Sequence, residues 1–311
     1  MKITVVIPLY NKRSSILTTI KTVLSQSKPA GEIIVVNDGS TDGSDKIVDQ
    51  LNHPLVRLIH QKNAGVSAAR NTGIDSAQNE WIAFLDADDV WKPNYLKEIY
   101  DLAQLCPECS VLATAYELQD SRGNRSPILL NKIPFEGNSG RLNNYFEVAA
   151  CSHPPLWSSA IVVKKSALLA VSGFPEGIQS GEDLLTWARL AVQFPIAYCL
   201  SANAVFIQDP AHTYDEKPNR IPEKEDVIGN ELIRLYHLNP DAYKLKNYIS
   251  FWKKMRASDY LRLGLTKQVI KEGFEALRIN PFNKIIYLYI MMTIFPIKSV
   301  NFIYKKYSEF R

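Results

Sequence analysis

The chain has 311 residues, 46% of them hydrophobic, which is enough to bury the core of one large domain or two ordinary ones. Its 36 basic and 32 acidic residues leave a net charge of only +4, so the composition does not indicate a nucleic-acid-binding surface. Four scattered cysteines are too few for a disulfide framework, and the run "KITVVIPLY" begins without a signal-peptide pattern; we therefore expect a reducing, cytoplasmic environment.

The first hundred residues alternate short apolar runs with helical patterns. Strands are predicted at 3–9, 32–38, 56–61 and 81–86, and helices at 13–26, 43–51, 65–77 and 93–105. Runs rich in valine and isoleucine are typical of parallel strands that are buried on both faces. Residues 1–108 are therefore predicted to form the Rossmann-like half of an α/β domain, with a ligand crevice outside the carboxyl ends of the strands.

Polar and acidic residues collect at those predicted strand ends. No GxGxxG or GxxxxGK[ST] motif follows the first strand, which argues against a dinucleotide-binding fold and a P-loop NTPase. Because the crevice is acidic, a phosphate bound there would need a metal ion between it and the carboxylates. The residues are Pro8, Tyr10 and Asn11 at the first strand, Asp38 at the second, Asn63 and Gly65 at the third, and Asp86, Ala87, Asp88 and Asp89 at the fourth.

The alternation weakens from residue 109, and the pattern through residue 221 predicts a mixed sheet on the substrate side of the same domain. Strands are expected at 110–120, 156–165 and 196–207, and a helix with an acidic N-terminus at 180–194. The motif "CPEC" at 106–109 is a lone CxxC. An ordinary helix-to-strand junction explains it, whereas a zinc or redox role would need a second pair of ligands.

Residues 222–311 are predicted to form a helical C-terminal region. Its tail, 284–311, contains thirteen uncharged residues at 285–297, fewer than the roughly twenty that a membrane-spanning helix needs. The last 28 residues hold five basic residues against one acidic residue, so they carry the whole net charge. Aromatic and basic residues together favour a segment that lies on the inner membrane face; the alternative is a last core helix with a solvated basic end.

Five blocks of the sequence resemble the signature blocks of the family 2 glycosyltransferases, which have the GT-A fold and invert the anomeric centre. They occur in the family's order over roughly residues 1–210, and five blocks in order are highly specific. The resemblance implies a nucleotide-binding half, 1–108, and an acceptor half, 109–221. The blocks are "VVIPLYNKRSSI" (5–16), "IIVVNDGSTDGS" (33–44), "NAGVSAARNTGI" (63–74), "FLDADD" (84–89) and "GED" (181–183).

The resemblance assigns most of these residues to a nucleotide-sugar donor. Asp88 is expected to ligate a divalent metal, Mn²⁺ or Mg²⁺, while Asp89 fits an N-cap or turn role. For the carboxylates the alternative is turn capping, and for the arginine a place on a helix surface. The expected donor-binding residues are Pro8, Tyr10 (beside the base), Asn11, Asp38 (base and ribose), Arg70 (base and phosphates), Asp86 (ribose side), Ala87 and Asp88.

The "GED" block supplies the other half of the expected reaction. An acceptor hydroxyl that attacks opposite the leaving diphosphate needs a carboxylate to take its proton. By resemblance Asp183 is this catalytic base and Glu182 orients the acceptor or its loop; helix N-terminal capping is the alternative for both. The family often completes its metal site with a later histidine. Here His212 is the nearest candidate, but the family's preceding arginine is missing, and a loop histidine without a metal is equally consistent.

The resulting expectation is a metal-dependent, inverting glycosyltransferase of the hexosyltransferase type. It would move a sugar from a UDP- or dTDP-type donor to a saccharide or lipid-linked glycan, in cell-surface polysaccharide synthesis. One alternative is a non-catalytic sugar-nucleotide or glycan-binding protein on the same scaffold, although the intact "DAD" and "ED" motifs speak against it. A nucleotidyltransferase would open with a glycine-rich loop, and "PLYNKRSS" has no glycine.

Overall fold

The computed structural model describes residues 1–178, 180–208 and 221–309. The chain divides into two compact units, an N-terminal unit of residues 1–208 and a C-terminal unit of residues 209–311. The boundary predicted from the sequence lies at residue 221/222. Residues 209–220, which separate the two positions, are outside the described residues, so that placement stays a prediction.

The first half of the N-terminal unit is a parallel β/α array. Its elements are β1 (Ile3–Leu9), α1 (Ile16–Leu24), β2 (Glu32–Asp38), α2 (Ser44–Gln50), β3 (Val56–Gln61), α3 (Val66–Ser76) and β4 (Trp81–Phe84). The strands lie in the order β3-β2-β1-β4, and every neighbouring pair is parallel. All seven side chains of β1 are buried, as expected for a strand in the middle of a covered parallel sheet.

The second half of this unit extends the same sheet with mixed strand directions. Its elements are β5 (Val90–Trp91), α4 (Tyr95–Leu105), β6 (Val111–Gln119), β7 (Arg125–Pro127), β8 (Ser139–Arg141), α5 (Tyr145–Ala149), β9 (Ile161–Lys164), α6 (Lys165–Ala170), α7 (Glu182–Gln193) and β10 (Ile196–Ile207). Because β9 is antiparallel to both β4 and β6, β6 runs parallel to β4, and β10 runs parallel to β6. The carboxyl ends of β1, β2, β4, β6 and β10 therefore share one edge of the sheet, the carboxyl edge.

Helix α3 lies unusually close to β1, and a glycine permits the approach. A Cβ added at Gly73 would lie only 2.2 Å from Cγ1 of Val6, inside the distance at which atoms overlap. The "ARNTGI" block thus has a packing reason for its glycine. This close approach fixes the helix that carries Arg70 against the strand that leads to Tyr10 and Asn11.

The "CPEC" motif lies at the opposite edge of the sheet, between the end of α4 and the start of β6. Among the described residues, the ligand atoms of Cys106, Glu108 and Cys109 lie within 4.8 Å of one another. Burial raises the pKa of the Cys109 thiol to about 12, however, which opposes the thiolate that a metal ligand or a redox nucleophile requires. This segment is thus remote from the carboxyl edge and poorly prepared for metal or redox chemistry.

The C-terminal unit is helical over its described residues. The helices are α8 (Val227–Leu238), α9 (Leu245–Arg262), α10 (Thr266–Ile279), α11 (Lys284–Met292) and α12 (Ile297–Glu309). Within its core, the Lys253 ammonium lies 2.6 Å from Asp226, 3.3 Å from Glu272 and 2.5 Å from Glu275, although the lysine side chain is only 2% exposed. The three carboxylates come from the start of α8 and from α10, so one buried cation joins three helices.

The apolar tail predicted at 285–297 is divided between two helices. α11 ends at Met292 and α12 begins at Ile297, directly after Pro296, a residue suited to a helix start. Ile286, Met292 and Val300 are buried in the helical core. Within the described part of the chain, no helix combines the length and the apolar character that a bilayer crossing requires.

Candidate active site

A buried arginine joins two of the predicted site segments. Arg70, on α3, donates from Nη2 to Asp86 Oδ1 over 2.9 Å and from Nη1 to Glu182 Oε1 over 3.3 Å. Its side chain is 5% exposed, and its guanidinium lies over the ring of Phe174. Although burial alone would lower it, the pKa of Arg70 is raised by the carboxylates around it. The residue expected beside the donor base therefore ties the end of β4 to the start of α7.

The predicted catalytic base lies beside this bridge. Asp183 is in the first turn of α7, and the helix begins after Gly181, whose φ of 87° is in the left-handed region that favours glycine. Desolvation and, to a smaller extent, the adjacent Glu182 carboxylate raise the pKa of Asp183 to about 7, although Arg70 partly opposes the shift. A general base is most effective when its pKa lies near the working pH. A carboxylate with a pKa of about 7 is suited to accept a proton near neutral pH, and the role of Asp183 as the catalytic base stays a prediction.

Asp88, the predicted metal ligand, forms an ion pair with a lysine. Lys12 Nζ, in the loop after β1, lies 2.5 Å from Asp88 Oδ2, and the two side chains are 40% and 36% exposed. The carboxylate is thus accessible at the surface and lies where a cation is accommodated. Carboxylate oxygens are hard donors of the kind that Mg²⁺ and Mn²⁺ prefer. The donor chemistry of these carboxylates therefore fits a divalent metal, while the roles of Asp88 and Asp86 toward a metal stay predictions.

Asp89 differs from the cap that the sequence suggests. Its side chain is buried and accepts hydrogen bonds from Ser159 Oγ, Trp157 Nε1 and the backbone N–H of Ile207. The N-cap of the following helix, α4, is Asn94. Burial and the neighbouring Asp86 and Asp88 carboxylates raise the pKa of Asp89. Asp89 is thus an anchor that holds the acidic loop, residues 86–89, to the second half of the sheet.

The other predicted donor residues lie at the carboxyl ends of β1 and β2 or directly after β1. Pro8 is buried in β1, and Tyr10 is exposed directly after it. The side chain of Asn11 accepts a hydrogen bond from the Thr41 backbone N–H, and the backbone of Asn11 has a positive φ of 51°. Asp38, at the end of β2, accepts from Gln61 and from two backbone N–H groups, those of Ala64 and Gly65. Contact of these residues with a donor stays a prediction.

The last two predicted site residues are His212 and Ala87. His212 lies outside the described residues, so its role as a metal ligand stays a prediction. Ala87 is buried, and its carbonyl oxygen accepts from Ser15 and Thr19 of the first helical segment. These two hydrogen bonds fix the backbone between Asp86 and Asp88. Both aspartate side chains therefore project from a loop whose backbone is held in place.

Comparison with known proteins identifies the family. Residues 4–157 match the family model "Glycosyl transferase family 2". The matched segment, just under half of the chain, belongs to this family. Curated relatives include the uncharacterized glycosyltransferase YibD of Escherichia coli (strain K12), 44% identical over 33% of this chain and 30% of YibD, and glycosyltransferase GlyG of Streptococcus pneumoniae serotype 4, 37% identical over 39% of this chain and 42% of GlyG.

A third relative bears a name that specifies a pathway. The putative teichuronic acid biosynthesis glycosyltransferase TuaG of Bacillus subtilis (strain 168) is 36% identical over 39% of this chain and 49% of TuaG. The chain spans less than half the length of each of these three family 2 relatives in the matched regions.

A solved structure shares the fold over the full length. S. aureus TarS 1–349, in complex with UDP-GlcNAc, superposes with a TM-score of 0.70 at 18% identity, covering 100% of this chain and 93% of that chain. At this identity the likeness shows the fold. The predicted GT-A α/β fold, extended by C-terminal helices, is confirmed.

The structure adds site residues that the sequence reasoning missed. Lys12 belongs to the "PLYNKRSS" block, and a cation two residues after the predicted base contact was a signal that could have been used. Ser159 donates to Asp89 and accepts from the Asp86 backbone N–H, so it links both aspartates. Ser159 lies about seventy residues after the two aspartates in the sequence, so no local sequence pattern predicts these contacts.

Proposed function

We propose that this family 2 chain is an inverting glycosyltransferase of the hexosyltransferase type. It transfers a sugar from a UDP- or dTDP-type nucleotide sugar to a hydroxyl of a saccharide or lipid-linked glycan, in cell-surface polysaccharide synthesis. The observation that carries the proposal is the Arg70 bridge, because it brings the donor-side Asp86 to the helix that begins with Glu182 and Asp183. A leaving-group site and a base tuned near pH 7 then share one edge of the sheet.

The chain's own residues supply the proton transfer and the positioning. Asp183 accepts the proton of the attacking hydroxyl as its oxygen bonds to the anomeric carbon and the bond to the diphosphate oxygen breaks, with inversion. Arg70 holds Asp86 and Glu182 at fixed positions around that centre. Asp88, with Asp86 beside it, would hold Mn²⁺ or Mg²⁺, which when bound acts as a Lewis acid on the departing diphosphate. Asp183 then releases the proton to solvent.

The comparisons support the substrate classes. TarS has been crystallised with UDP-GlcNAc and with UDP, which favours a uridine nucleotide sugar as donor for a chain of the same fold. The name of TuaG specifies teichuronic acid biosynthesis, which favours a saccharide acceptor.

A screen of nucleotide sugars tests the proposal. Purified full-length chain is incubated with UDP- and dTDP-sugars, with Mn²⁺ or with chelator, and release of nucleoside diphosphate is measured. Release with metal, its loss with chelator, and a product of inverted anomeric configuration by NMR are expected. Binding of a nucleotide sugar without any release, with or without saccharide acceptors, would support the non-catalytic binding protein instead.

We further propose that the tail contacts an anionic membrane surface peripherally. Large apolar side chains on α11, α12 and the adjoining turns are exposed, with Phe282 86% and Ile294 83% exposed, and a patch of this kind marks an interaction surface. Lys284 and Lys298 lie in the same segment, as does the rest of the chain's net positive charge. Apolar side chains flanked by cations match the interface of an anionic bilayer. The other exposed residues are Ile285, Tyr287, Leu288, Met291, Phe295, Phe302 and Ile303.

Vesicle sedimentation tests this second part. The full chain is expected to sediment with phosphatidylcholine vesicles that contain phosphatidylserine, and less with phosphatidylcholine alone or at high salt. The triple variant Phe282→Ser, Met291→Ser and Ile294→Ser should lose this binding. Leu105→Ser, which removes an exposed leucine of the N-terminal unit, is the matched control and should bind normally. Equal sedimentation of wild type and triple variant would contradict the membrane contact.

A further inference from the structure

An aromatic cluster opens to the surface beside the acidic loop. Trp157 stacks on Tyr116 with ring centroids 5.6 Å apart and an interplanar angle of 30°, and it contacts Phe206 at 4.7 Å and 47°. Tyr116 is buried, whereas Trp157 and Phe206 are partly exposed. A second aromatic cluster of the same unit, formed by Phe84, Phe174 and Trp187, is buried throughout.

The sheet register explains how these rings come together. Tyr116 of β6 pairs with Ala204 of β10, and Leu118 pairs with Phe206. Side chains two residues apart in a strand point to the same face, so Tyr116 and Phe206 lie on one face of the sheet, on neighbouring strands. Trp157 packs across both rings. The cluster lies in the last part of both strands, toward the carboxyl edge.

A polar network connects this cluster to the acidic loop. Trp157 Nε1 lies 3.4 Å from Asp89 Oδ2, and Asp89 directly follows Asp88. Asp89 also accepts from Ser159 Oγ and from the Ile207 backbone N–H, next to Phe206. The hydrogen bond from Nε1 thus orients the indole ring. It also links Trp157 to Asp89, the neighbour of Asp88, which would hold the metal.

We propose that Trp157 and Phe206 form a platform on which a pyranose ring stacks at the transfer site. A pyranose presents a face of C–H groups, and the negative face of an aromatic ring attracts such polarised hydrogens. Binding sites typically combine apolar rings with a few placed polar groups, and here the carboxylates of the acidic loop supply those groups. The inference rests on the proposed glycosyl transfer, and the ring bound is that of the transferred sugar or of the acceptor.

Paired substitutions separate stacking from support of the fold. Trp157→Ala removes the ring, Trp157→Phe keeps a ring but removes the bond to Asp89, and Phe206→Leu leaves that bond intact. Trp81→Phe, at the amino end of β4, is the matched control. Titration calorimetry with UDP and with the nucleotide sugar that the enzyme turns over, and the KM for the acceptor, are measured after a thermal melt confirms folding.

Sugar-dependent affinity is the decisive quantity. Trp157→Ala should weaken binding of the nucleotide sugar or raise the acceptor KM by about tenfold, while UDP affinity changes less than about twofold. Whichever of the two changes identifies the bound sugar, and Trp157→Phe should keep most of the affinity. Phe206→Leu should shift the same quantity in the same direction. An equal loss of affinity for UDP and for the nucleotide sugar, or no change in either sugar-bearing substrate, would overturn the platform.

Failure of the proposed function has a different signature. If wild type turns over no nucleotide sugar, quenching of tryptophan fluorescence by N-acetylglucosamine oligomers is compared in wild type and Trp157→Phe. Quenching that depends on Trp157 would support the platform while the transfer activity fails. Quenching that is absent or equal in both proteins would overturn the platform itself.

Discussion

The Nη2 atom of Arg70 lies 2.9 Å from Oδ1 of Asp86, and the same guanidinium reaches Glu182. Three segments of the chain, α3, the acidic loop and the start of α7, therefore share one buried cation. Because the predicted donor residues and the predicted base lie on opposite ends of this bridge, its geometry sets the distance between them.

Loss of the Arg70 charge should destabilise the N-terminal unit. Arg70→Met leaves the Asp86 and Glu182 carboxylates without a partner in a poorly hydrated site, and breaking a buried ion pair costs about 3–5 kcal/mol. Urea unfolding measures the change. Arg57→Met is the control, because the Arg57 side chain is 45% exposed and its pair with Glu32 is 3.6 Å long, for which at most about 1 kcal/mol is expected. Equal losses in both variants would show that the bridge is not a buried pair.

The activity should depend on pH through Asp183. The base works in its ionised form, so kcat/KM should fall as the pH drops below about 7, following the raised pKa of Asp183. Glu182→Gln removes a neighbouring negative charge and leaves Arg70 more available to Asp183, so the acid limb should move to lower pH. A pH profile of wild type and Glu182→Gln measures both effects. An acid limb that stays in place, or moves upward, would contradict this electrostatic account.

Lys12 should compete with a divalent cation for Asp88. Its ammonium lies 2.5 Å from the carboxylate, so Lys12→Met should tighten Mn²⁺ binding in the absence of nucleotide by several-fold. Calorimetric titration of Mn²⁺ into the full chain measures the affinity directly. Lys21→Met, which removes an exposed lysine of α1, is the control and should bind Mn²⁺ as wild type does. Weaker Mn²⁺ binding in Lys12→Met would argue against competition.

The buried lysine of the C-terminal unit should be essential for its stability. Lys253→Met would leave Asp226, Glu272 and Glu275 facing one another with less positive charge, and a loss of about 3–5 kcal/mol is expected. Helical content followed during urea unfolding reports this unit. Lys246→Met, at an exposed position of the same helix, should change the unfolding free energy by less than about 0.5 kcal/mol. Comparable losses in the two variants would contradict the assignment.

Periodicity predicted most of the fold. The first three strands begin and end where the apolar runs do, because buried parallel strands leave an uninterrupted hydrophobic signal. The fourth strand ends at Phe84, two residues before the predicted end, because the chain turns into the acidic loop. The split between α11 and α12 was missed because Pro296 ends one apolar pattern and begins another without a change in hydropathy.

Site chemistry was predicted less completely than the fold. The motifs named the carboxylates, but only the structure shows that Arg70 bridges Asp86 and Glu182, because Arg70 and Glu182 are 112 positions apart in the sequence. The position of Asp89 ahead of a helix predicted an N-cap or turn role. Its three actual donors come from β10 and the Trp157–Ser159 segment, which no local propensity connects to the loop.

Side-by-side turnover by wild type and Asp183→Asn tests the central claim most directly. Both proteins are given the nucleotide sugar found in the screen, Mn²⁺ and an acceptor, and nucleoside diphosphate release is timed while calorimetry follows donor binding. We expect Asp183→Asn to bind the donor as wild type does and to lose at least about 100-fold in kcat, because the general base is gone. Full turnover by folded Asp183→Asn would contradict the assignment of this site as the transfer centre.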